Sequence, residues 1–451
     1  MKKLAVIGMG YVGIPAAALF ADAGFDVNGI QRRSKRSGWK IDVLNEGKNP
    51  IGGHEPGLAE LLHRVVKEKE TFRATDDFEV IRDMDYILID VQTPTDEFHI
   101  PRYVSLREVS SIVGERMKKE ALVVIESTVA PGTTTNIVLP ILEETSGMKA
   151  GEDFYLAFSY ERVMVGRLIH NIVNYPRIIG GTEERSTEIA MELYSHIIKA
   201  ERHPTDSVTA EVAKTVENTY RDVNIAFANE VALMCESLGI DVYDVRKFVN
   251  SLPNDPSNPA ANPVRNMHFP GAGVGGHCLP KDSWLLKWGV NSYGRTKVEP
   301  CVIQESRYIN DFMPMHMVEL AQDAFNEQEM AIKGKNICIL GYAFLENSDD
   351  TRNTPTLPAY QRLLELKANV TVHDVHVKAE GGVPITNDLD SAVRDSDCII
   401  LMCGHNEYRE LGPEYFSDIM RSKMLVDGRN VYNPEAFREA GFEFRGVGKG
   451  N

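Results

Sequence analysis

The chain has 451 residues, which is enough for two or three domains of ordinary size. Its apolar fraction of 43% and charged fraction of 25% are typical of a globular protein and exclude a disordered or fibrous class. A formal net charge of −16 at pH 7 argues against nucleic acid as a partner, although a few convergent basic groups can still hold an anionic small substrate.

The cysteines are scattered along the chain, with no CxxC pair and no Cys/His cluster at zinc-ligand spacing. This distribution predicts reduced thiols, no structural metal and a cytoplasmic location. No apolar stretch approaches the length needed to cross a bilayer, so we expect no membrane partner. Four cysteines fit buried, inert positions, namely Cys235, Cys338, Cys398 and Cys403.

Strand patterns alternate with helical patterns over the first two hundred residues. Apolar runs of strand length occur at residues 2–7, 25–30, 86–91, 122–126 and 155–158. Alternation of this kind predicts a parallel sheet that is covered by helices on both faces. We therefore expect a doubly wound, Rossmann-like domain over residues 1–204.

A glycine-rich turn, Gly8-Met9-Gly10-Tyr11-Val12-Gly13, follows the first strand and opens the first helix. Glycines at this spacing permit a tight turn, close approach of a pyrophosphate and close packing of helix on strand. The start of the helix also favours an anion. The turn therefore predicts a dinucleotide site that includes Gly8, Gly10, Tyr11, Val12 and Gly13.

The second strand ends at Gln31, where dinucleotide-binding domains normally carry an Asp or Glu that binds the adenosine ribose. In one interpretation Gln31 replaces the acid, and Arg32 and Arg33 stack near the adenine of NAD. In the other, one of the arginines receives a 2′-phosphate, so that NADP is accepted as well. We expect NAD to be preferred, with NADP tolerated.

From Ser207 onwards, apolar residues recur at steps of three and four, the period of an amphipathic helix. Thr205, Asp206 or Ser207 could cap its start, and Gly239 could end it. A helix of more than thirty residues is long for a globular domain and indicates a spine that joins domains or packs on a second subunit. The apolar positions are Val212, Val216, Tyr220, Val223, Phe227, Val231 and Met234.

Three polar residues of this helix, Lys214, Asn218 and Arg221, stand at positions i, i+4 and i+7 and therefore share one face. Such a trio is usually solvated. The apolar run 225–228 that follows instead favours partial burial, as a role in acid–base chemistry would need.

A loop rich in Pro, Asn and Gly covers residues 250–276, and four glycines, at positions 271, 273, 275 and 276, lie just before Cys278. Glycines let the backbone approach a ligand closely and leave the thiol exposed near a helix start. There, helix N–H groups and Lys281 would favour the thiolate. The sequence therefore predicts that Cys278 is a nucleophile, with Asp282 close by.

Helical patterns continue to about residue 330 and define a middle region, 205–330. Strand patterns at 336–340, 369–373, 398–403 and 424–427 then predict a second, smaller domain over 331–451. The turn at Gly341 lacks the GxGxxG spacing, so this domain is not another NAD module. The predicted fold class is α/β, with two Rossmann-like doubly wound domains joined by a long central helix and a helical middle domain.

Taken together, these segments resemble the UDP-glucose/UDP-N-acetylmannosamine dehydrogenase family over nearly the whole chain. The glycine–cysteine loop and the helix segment 214–229 are the most specific features. His277 and the segments 161–164 and 221–230 are most similar to the UDP-N-acetylmannosamine branch. The remaining matching segments are Thr93-Pro94, Glu126-Ser127-Thr128, Gly341-Tyr342-Ala343-Phe344 and Asp349-Asp350-Thr351-Arg352.

The resemblance implies that a sugar C6 hydroxymethyl group is oxidised to a carboxylate in two hydride transfers to NAD. Cys278 would form a thiohemiacetal and then a thioester, which water releases as the uronate. Lys214 and Asn218 would stabilise oxyanions, and Asp282 would assist proton transfers. Thr128 and Glu161 would hold a catalytic water.

The resemblance also implies the binding residues. The cofactor would contact Thr93 and Thr128 besides the glycine-rich turn, Gln31, Arg32 and Arg33. The substrate would contact Glu161, Arg162, Val163, Lys214, Asn218, Arg221, Arg265, Gly271, Gly273, Gly275, His277, Phe344 and Arg352.

The expected substrate is UDP-N-acetyl-D-mannosamine, and its uronate would feed surface polysaccharide or glycan synthesis. UDP-N-acetylglucosamine, UDP-N-acetylgalactosamine and UDP-glucose are the alternatives. A two-electron hydroxyacid dehydrogenase would use Lys214 and Asn218 but would not need Cys278, and a non-enzymatic dinucleotide sensor would need none of these groups. The apolar stripe of the long helix predicts a homodimer or a higher homo-oligomer.

Overall fold

A computed structural model of the protein describes residues 1–35, 37–52, 55–251, 257, 266–378 and 382–450. The chain divides into two compact units. The first unit comprises Met1–Glu217 and Lys281–Glu299, and the second comprises Asn218–Pro280 and Pro300–Asn451.

The first unit is built on an eight-stranded sheet in the order β3-β2-β1-β4-β5-β6-β7-β8. All neighbouring strands are parallel except β6 and β7, which are antiparallel. The order reverses between β1 and β4, the kind of position at which doubly wound sheets bind ligands. The strands are β1 (Lys3–Ile7), β2 (Asp26–Ile30), β3 (Phe72–Thr75), β4 (Tyr86–Ile89), β5 (Leu122–Ile125), β6 (Tyr155–Phe158), β7 (Arg177–Gly181) and β8 (Arg202–Asp206).

Alternate residues of these strands enter two separate hydrophobic cores, because successive side chains of a strand point to opposite faces. Leu4 and Val6 of β1 belong to one core, while Ala5 and Ile7 belong to the other. Both faces of the sheet are therefore buried. The helices that accompany it are α1 (Gly13–Asp22), α2 (Trp39–Asn45), α3 (Leu58–His63), α4 (Val104–Arg116), α5 (Leu139–Ser146), α6 (Leu168–Asn174) and α7 (Glu184–Ser195).

The predicted long helix is confirmed as α8 (Ser207–Ser237), which has 31 residues. Of the candidate caps, Asp206 fills the role, since its Oδ1 accepts the N–H of Thr209 at 2.9 Å. Gly239, with a φ of +68°, follows the end of the helix.

The second unit contains a six-stranded parallel sheet in the order β11-β10-β9-β12-β13-β14. The four strands predicted in this region are present, and β11 and β14 were not predicted. The strands are β9 (Asn336–Leu340), β10 (Asn369–His373), β11 (Ile385–Thr386), β12 (Cys398–Leu401), β13 (Met424–Asp427) and β14 (Glu443–Gly446).

Eight further α-helices follow in the described part of the chain, and none of the helices in that part is long and apolar enough to cross a bilayer. They are α9 (Val242–Val249), α10 (Leu279–Tyr293), α11 (Cys301–Glu327), α12 (Thr356–Glu365), α13 (Leu389–Val393), α14 (Asn406–Arg409), α15 (Pro413–Ile419) and α16 (Pro434–Glu439).

Within the second unit, α11 packs on the later part of α8 through a buried polar seam. Arg307, which is 1% exposed, donates from Nη1 to Asp222 Oδ1 at 2.6 Å. Asn310 donates to the same oxygen at 2.8 Å and accepts from Asn229 at 2.9 Å. A buried ion pair with these additional hydrogen bonds fixes which turns of the two helices face each other.

Most of α10 belongs to the first unit and packs on its loops. Gly289 lies against the turn at Pro131, where a Cβ on the glycine would come 2.6 Å from the Pro131 carbonyl oxygen. Trp288 meets the Tyr103 ring edge-on at 6.2 Å. The close fit at Gly289 therefore leaves no room for a larger residue in α10 at this point.

Candidate active site

The predicted site residues belong to both units, and the glycine-rich turn lies in the first. Gly8 has a φ of +112°, and a Cβ there would lie 2.2 Å from the carbonyl oxygen of Asp90. A Cβ on Gly13 would lie 2.0 Å from the carbonyl oxygen of Gly8, whereas a Cβ on Gly10 would meet nothing within 4 Å. The turn is therefore tight where helix meets strand and open at Gly10, which fits a dinucleotide pyrophosphate at the start of α1.

The end of β2 shows what replaces the usual acid. Gln31 Oε1 accepts the Met9 N–H at 3.0 Å, and its Nε2 donates to Ser37 Oγ at 3.0 Å. The Gln31 side chain thus supports the glycine-rich turn by binding the backbone N–H of Met9.

The two arginines that follow are paired with acidic side chains. Arg32 lies 2.7 Å from Glu108. Arg33 lies 3.2 Å from Asp42 and 3.1 Å from Asp76. All of these side chains are substantially exposed, so the pairs are weak and can be exchanged for another anion.

The ends of β4 and β5 are joined near the predicted cofactor residues. Thr93, which is buried, donates from Oγ1 to the carbonyl oxygen of Thr128 at 2.6 Å. Ser127 donates from Oγ to the carbonyl oxygen of Val91 at 2.7 Å. These bonds fix Thr128, which is half-buried, at the carboxyl edge of the sheet.

Glu161 and Lys214 are brought together in the first unit. Lys214 Nζ donates to the main-chain carbonyl of Glu161 at 3.0 Å, and both residues are buried. The ammonium also lies 5.0 Å from the ring centroid of Tyr160. Burial raises the pKa of Tyr160 to about 12, so its hydroxyl stays neutral and donates to Glu217. Tyr160 was not among the predicted site residues.

A second group that the sequence did not predict surrounds the Glu161 carboxylate. Arg177 donates to the carboxylates of both Glu161 and Glu126, and its Nε donates to Ser159 Oγ at 2.7 Å. Its guanidinium lies 4.0 Å from the ring centroid of Tyr194, whose hydroxyl donates to Glu126 at 2.6 Å. The ion pairs are buried, with side-chain exposures of 6% or less.

The signal that could have found this group is a polar residue directly after each of three neighbouring buried strands. Asp90, Glu126 and Ser159 follow β4, β5 and β6. Parallel strands bring such residues to one edge of a sheet.

Asp282 and Lys281 lie at the start of α10. Both are buried, and Lys281 Nζ is 3.3 Å from Asp282 Oδ1. They are the first residues of the part of α10 that belongs to the first unit, and this part packs on Pro131 and Tyr103. A buried carboxylate next to an ammonium can exchange a proton with a reacting group.

In the second unit, the glycine loop lies directly against the segment that follows β9. Gly276 donates its N–H to the carbonyl oxygen of Arg352 at 2.8 Å and accepts from Asn353 at 3.0 Å. A Cβ on Gly275 or Gly276 would lie 2.4 or 2.9 Å from atoms of the Phe344 side chain. The glycines are therefore required by close packing.

The beginning and the end of this loop are also defined. Gly271 donates its N–H to Asn229 Oδ1 at 2.9 Å. A Cβ on Gly273 would lie 2.9 Å from the Pro355 ring. Cys278 is exposed, as predicted, and stands immediately before α10. His277 is half-buried.

The remaining predicted substrate residues differ in burial. Arg162 and Val163 in the first unit and Asn218 in the second are half-buried, whereas Arg221 is exposed. Arg352 pairs with Asp350 at 2.8 Å. Arg265 lies outside the described residues.

The cysteines other than Cys278 and Cys301 are buried, which confirms the prediction for Cys235, Cys338, Cys398 and Cys403. Burial raises the pKa of the Cys338 and Cys398 thiols, so these two are poor nucleophiles.

Three solved or curated relatives are similar to the chain over its length. An NDP-N-acetyl-D-galactosaminuronic acid dehydrogenase from Methanosarcina mazei Go1 is 44% identical, with a TM-score of 0.90 over 100% of this chain and 96% of that one. The UDP-N-acetyl-D-mannosamine dehydrogenase of Pyrococcus horikoshii is 35% identical over 100% of both chains, and a structure of that enzyme has a TM-score of 0.89 over 99% of each chain. A UDP-N-acetyl-mannosamine dehydrogenase from Staphylococcus aureus is 30% identical, with a TM-score of 0.82 over 99% of this chain and 98% of that one.

Three domains of one family match successive parts of the chain. The NAD binding domain of the UDP-glucose/GDP-mannose dehydrogenase family matches residues 2–198. Its central domain matches residues 208–311, and its UDP binding domain matches residues 338–434. With a glycine-rich turn that fits a dinucleotide and full-length relatives that oxidise nucleotide sugars, the chain belongs to the UDP-glucose/GDP-mannose dehydrogenase family and is an NAD-dependent nucleotide sugar dehydrogenase.

Proposed function

We propose that the enzyme oxidises the C6 hydroxymethyl group of a UDP-N-acetylhexosamine to a carboxylate, with UDP-N-acetyl-D-mannosamine as its substrate. The observation that carries the proposal is the exposed Cys278, which stands at the end of a close-packed glycine loop and directly before α10. The relatives from Pyrococcus horikoshii and Staphylococcus aureus, both named for UDP-N-acetylmannosamine, support this choice of sugar.

A second candidate substrate has the galacto configuration. The Methanosarcina mazei enzyme, named for N-acetyl-D-galactosaminuronic acid, is 44% identical to this chain, compared with 35% for the Pyrococcus horikoshii enzyme. UDP-N-acetylgalactosamine is therefore the alternative that the comparison favours over UDP-N-acetylglucosamine and UDP-glucose.

The chain's own residues account for each stage of the reaction. Removal of a hydride and a proton from the C6 alcohol gives an aldehyde, to which the Cys278 thiolate adds. Loss of a second hydride and of the hydroxyl proton from the thiohemiacetal gives a thioester, and attack by water releases the uronate and the thiol. The glycine-rich turn, with Thr93 and Thr128, would hold NAD, which would supply the hydride acceptor for both oxidations.

Five residues handle the charges, the protons and the water at C6. Lys214, held on the Glu161 carbonyl, and Asn218, one helical turn further along α8, stabilise the oxyanions. The buried Asp282 accepts and returns protons. Thr128 and the Glu161 carboxylate hold the water that hydrolyses the thioester.

Each of the three domains predicted from the sequence has its own role. Residues 1–204 bind NAD, 205–330 carry the long helix and the nucleophile, and 331–451 bind the UDP group. The UDP-sugar contacts are Arg162, Val163, Arg221, the glycine loop with His277, Phe344 and Arg352. The product supplies surface polysaccharide or glycan synthesis in the cytoplasm, where the six free cysteines remain reduced.

The enzyme is also proposed to act as a homodimer packed through α8. On this helix Val216, Tyr220, Phe227 and Met234 are 42%, 69%, 54% and 55% exposed, and they recur at steps of four and seven. A contiguous exposed apolar stripe of this kind indicates an interface, and a twofold interface is the commonest solution.

The substrate test incubates the purified enzyme with NAD and, separately, with UDP-N-acetylmannosamine, UDP-N-acetylgalactosamine, UDP-N-acetylglucosamine and UDP-glucose. We expect two NADH per uronate and the highest kcat/KM for UDP-N-acetylmannosamine. A ratio of one NADH per product would exclude the four-electron reaction. A higher kcat/KM for UDP-N-acetylgalactosamine would select the second candidate.

The nucleophile test is Cys278→Ser, with Cys301→Ser as a matched control at the other exposed cysteine. We expect Cys278→Ser to lower the steady-state rate of uronate formation by at least about 10³-fold while UDP-sugar binding is kept, because a hydroxyl is a far weaker nucleophile than a thiolate. The control should keep its activity. Full uronate formation by Cys278→Ser would exclude the covalent route.

The dimer test is Phe227→Glu, with Leu364→Glu on α12 as a control at an exposed apolar residue away from the stripe. Light scattering should give a dimer or larger mass for the wild type and the control, and a monomer mass for Phe227→Glu. A monomeric wild type at every concentration would exclude the interface.

A further inference from the structure

A third carboxyl group adjoins the buried Arg177 cluster at the carboxyl edge of the first sheet. The last residues of β4, β5 and β6 pair in register, so Asp90, Glu126 and Ser159, which follow them, lie side by side. Because β7 runs antiparallel to β6, its first residue, Arg177, reaches the same edge. One guanidinium therefore faces three carboxyl groups: Asp90, Glu126 and Glu161.

The contact between Asp90 and Glu126 lacks a donor from any other residue. Asp90 Oδ2 and Glu126 Oε2 are both buried, and neither receives a hydrogen bond from another group among the described residues. Because Ile89 and Ile125 pair in register, the carboxyl groups of the residues that follow them lie side by side, close enough for one to hydrogen-bond the other. Two ionised carboxylates in such contact repel strongly where the dielectric constant is low. A proton shared across the contact removes the repulsion and supplies the missing donor.

The surrounding groups place this proton on Asp90. Glu126 already accepts hydrogen bonds from Arg177 and from the Tyr194 hydroxyl, so its carboxyl group serves as an acceptor. Burial, together with the negative charges of Glu126 and Glu161, raises the pKa of Asp90 well above its ordinary value, against the opposing effect of Arg177. Asp90 is accordingly the donor, and Glu126 is the acceptor.

We propose that Asp90 is kept as a neutral carboxylic acid that donates to Glu126, and that Asp90 and Arg177 together are positioning residues for Glu161. The proposal rests on the proposed function, in which Glu161 holds the hydrolytic water. With Asp90 neutral, the two remaining acidic groups, Glu126 and Glu161, match the two basic groups, Arg177 and Lys214. Arg177 can then hold both carboxylates at once.

The position of Glu161 matters because two different parts of it are used. Its carboxylate is held by Arg177, and its main-chain carbonyl holds the Lys214 ammonium at 3.0 Å. If Asp90 ionised, a third negative charge would compete for Arg177. Glu161 would then lose its partner, and its place next to Lys214 would be less well defined.

The kinetic test compares Asp90→Asn with Asp90→Leu. The amide of Asp90→Asn keeps a donor to Glu126 and cannot ionise, so we expect kcat within about twofold of the wild type. Asp90→Leu removes the donor, so Arg177 is drawn to Glu126 and kcat should fall about tenfold, with little change in KM for NAD or UDP-sugar. Equal losses in the two variants, or no loss in Asp90→Leu, would overturn the positioning role.

A stability test needs no substrate and therefore does not depend on the proposed function. Because the pKa of Asp90 is raised in the folded state, its proton stabilises the fold below the ordinary value of 3.8, and that stabilisation is lost as the pH rises towards the folded-state pKa. Asp90→Asn has no such dependence. The Tm of Asp90→Asn minus that of the wild type should therefore increase from about pH 4 to about pH 8.

An infrared difference spectrum gives a direct readout on the same two proteins. The wild type minus Asp90→Asn spectrum at neutral pH should contain a carbonyl band of a protonated carboxylic acid. A Tm difference that does not vary with pH, together with a carboxylate band in place of the acid band, would show that Asp90 is ionised and would overturn the proposal. Activity on UDP-sugars could still be intact in that case, so the two proposals fail separately.

Discussion

The two sheets of this enzyme begin alike and then use the same turn differently. In each, the first strand is followed directly by a glycine with positive φ, +112° at Gly8 and +92° at Gly341. A Cβ on Gly8 would lie 2.2 Å from the Asp90 carbonyl oxygen, and one on Gly341 would lie 2.4 Å from the Cys403 Cβ. The backbone at both positions is therefore held against the end of the adjacent strand.

The difference lies in what occupies the turn. In the first sheet the Met9 N–H is bonded to the neutral Gln31, and the space beside Gly10 is open. In the second, the N–H groups of Tyr342 and Ala343 both donate to Asp374 Oδ2, at 2.6 and 2.9 Å. One turn is free for an external phosphate, whereas a carboxylate of the protein itself already fills the other. The second domain can therefore share the architecture of a dinucleotide domain without binding one.

The largest effect is expected when the internal carboxylate is removed. Asp374→Ala leaves the N–H groups of Tyr342 and Ala343 and the buried His405, 3.2 Å away, without their acceptor. Loss of several charge-assisted hydrogen bonds in a buried place should lower the free energy of unfolding by about 3–5 kcal/mol. Urea denaturation measures this, and Asp374→Asn, which keeps one oxygen acceptor, should lose less. A loss below about 1 kcal/mol in Asp374→Ala would mean that Asp374 does not hold the turn.

Alanine at the two turns should separate folding from cofactor binding. Gly341→Ala places a side chain at positive φ against Cys403, and we expect a loss of about 2–4 kcal/mol in the free energy of unfolding. Gly10→Ala meets no protein atom and should leave that free energy within about 0.5 kcal/mol. Its methyl group would instead occupy the space for the pyrophosphate, so the Kd for NAD should rise about 10- to 100-fold. Calorimetric titration with NAD and urea denaturation measure the two effects, and unchanged NAD affinity in Gly10→Ala would contradict the assignment of that space.

A smaller effect is expected at Gln31, which supports the open turn but carries no charge. Without a carboxylate to repel a 2′-phosphate, and with Arg32 and Arg33 held only in exposed ion pairs, the wild type should accept NADP as well as NAD. Gln31→Asp should favour NAD further by roughly 1.5–3 kcal/mol in the ratio of kcat/KM values. A wild type that already prefers NAD by several orders of magnitude, with no change in the variant, would show that Gln31 does not set the selection.

The smallest effect is expected at acidic pH, where the contribution of Asp374 to the stability of the fold is lost. Burial alone would raise the pKa of Asp374, but donation from His405 and from the Ala343 and Val377 N–H groups outweighs burial and lowers the pKa below its ordinary value of 3.8. The ionised carboxylate therefore stabilises the fold above pH 3.8, and that stabilisation is lost as the pH falls towards the folded-state pKa. The stability advantage of the wild type over Asp374→Asn should narrow in this range. Parallel urea titrations measure it, and a constant gap would show that Asp374 titrates normally.

Sequence reasoning worked best where burial leaves a local pattern. Residues 4–7 of β1 and all of β5 are apolar because both faces of the sheet are covered, and such runs stand out against their surroundings. The strand β8, in contrast, lies at the edge of its sheet and reads Arg-His-Pro-Thr-Asp, with most of its residues exposed. Its extended form comes from pairing with β7, and this pairing cannot be recognised from the sequence of β8 itself.

The residues of the candidate site that the sequence did not predict are placed there by strand register and strand direction. Arg177 reaches Glu161 only because β7 runs antiparallel to its neighbour, and Tyr194 reaches Glu126 only because α7 packs there. Neither fact can be read from spacing along the chain. The role of Gln31 was likewise open, because its sequence position does not show that its oxygen binds the Met9 N–H.

The arrangement of α10 has a consequence for the order in which the chain can fold during synthesis. The first unit consists of Met1–Glu217 and Lys281–Glu299, so its last segment leaves the ribosome only after residues 218–280 have been made. Until then the turn at Pro131 and the ring of Tyr103 lack the residues that pack on them, Gly289 and Trp288. Closing contacts over such a separation is entropically costly and slow. The sheet of the first unit can therefore form early, but part of its apolar surface stays uncovered until α10 has been synthesised.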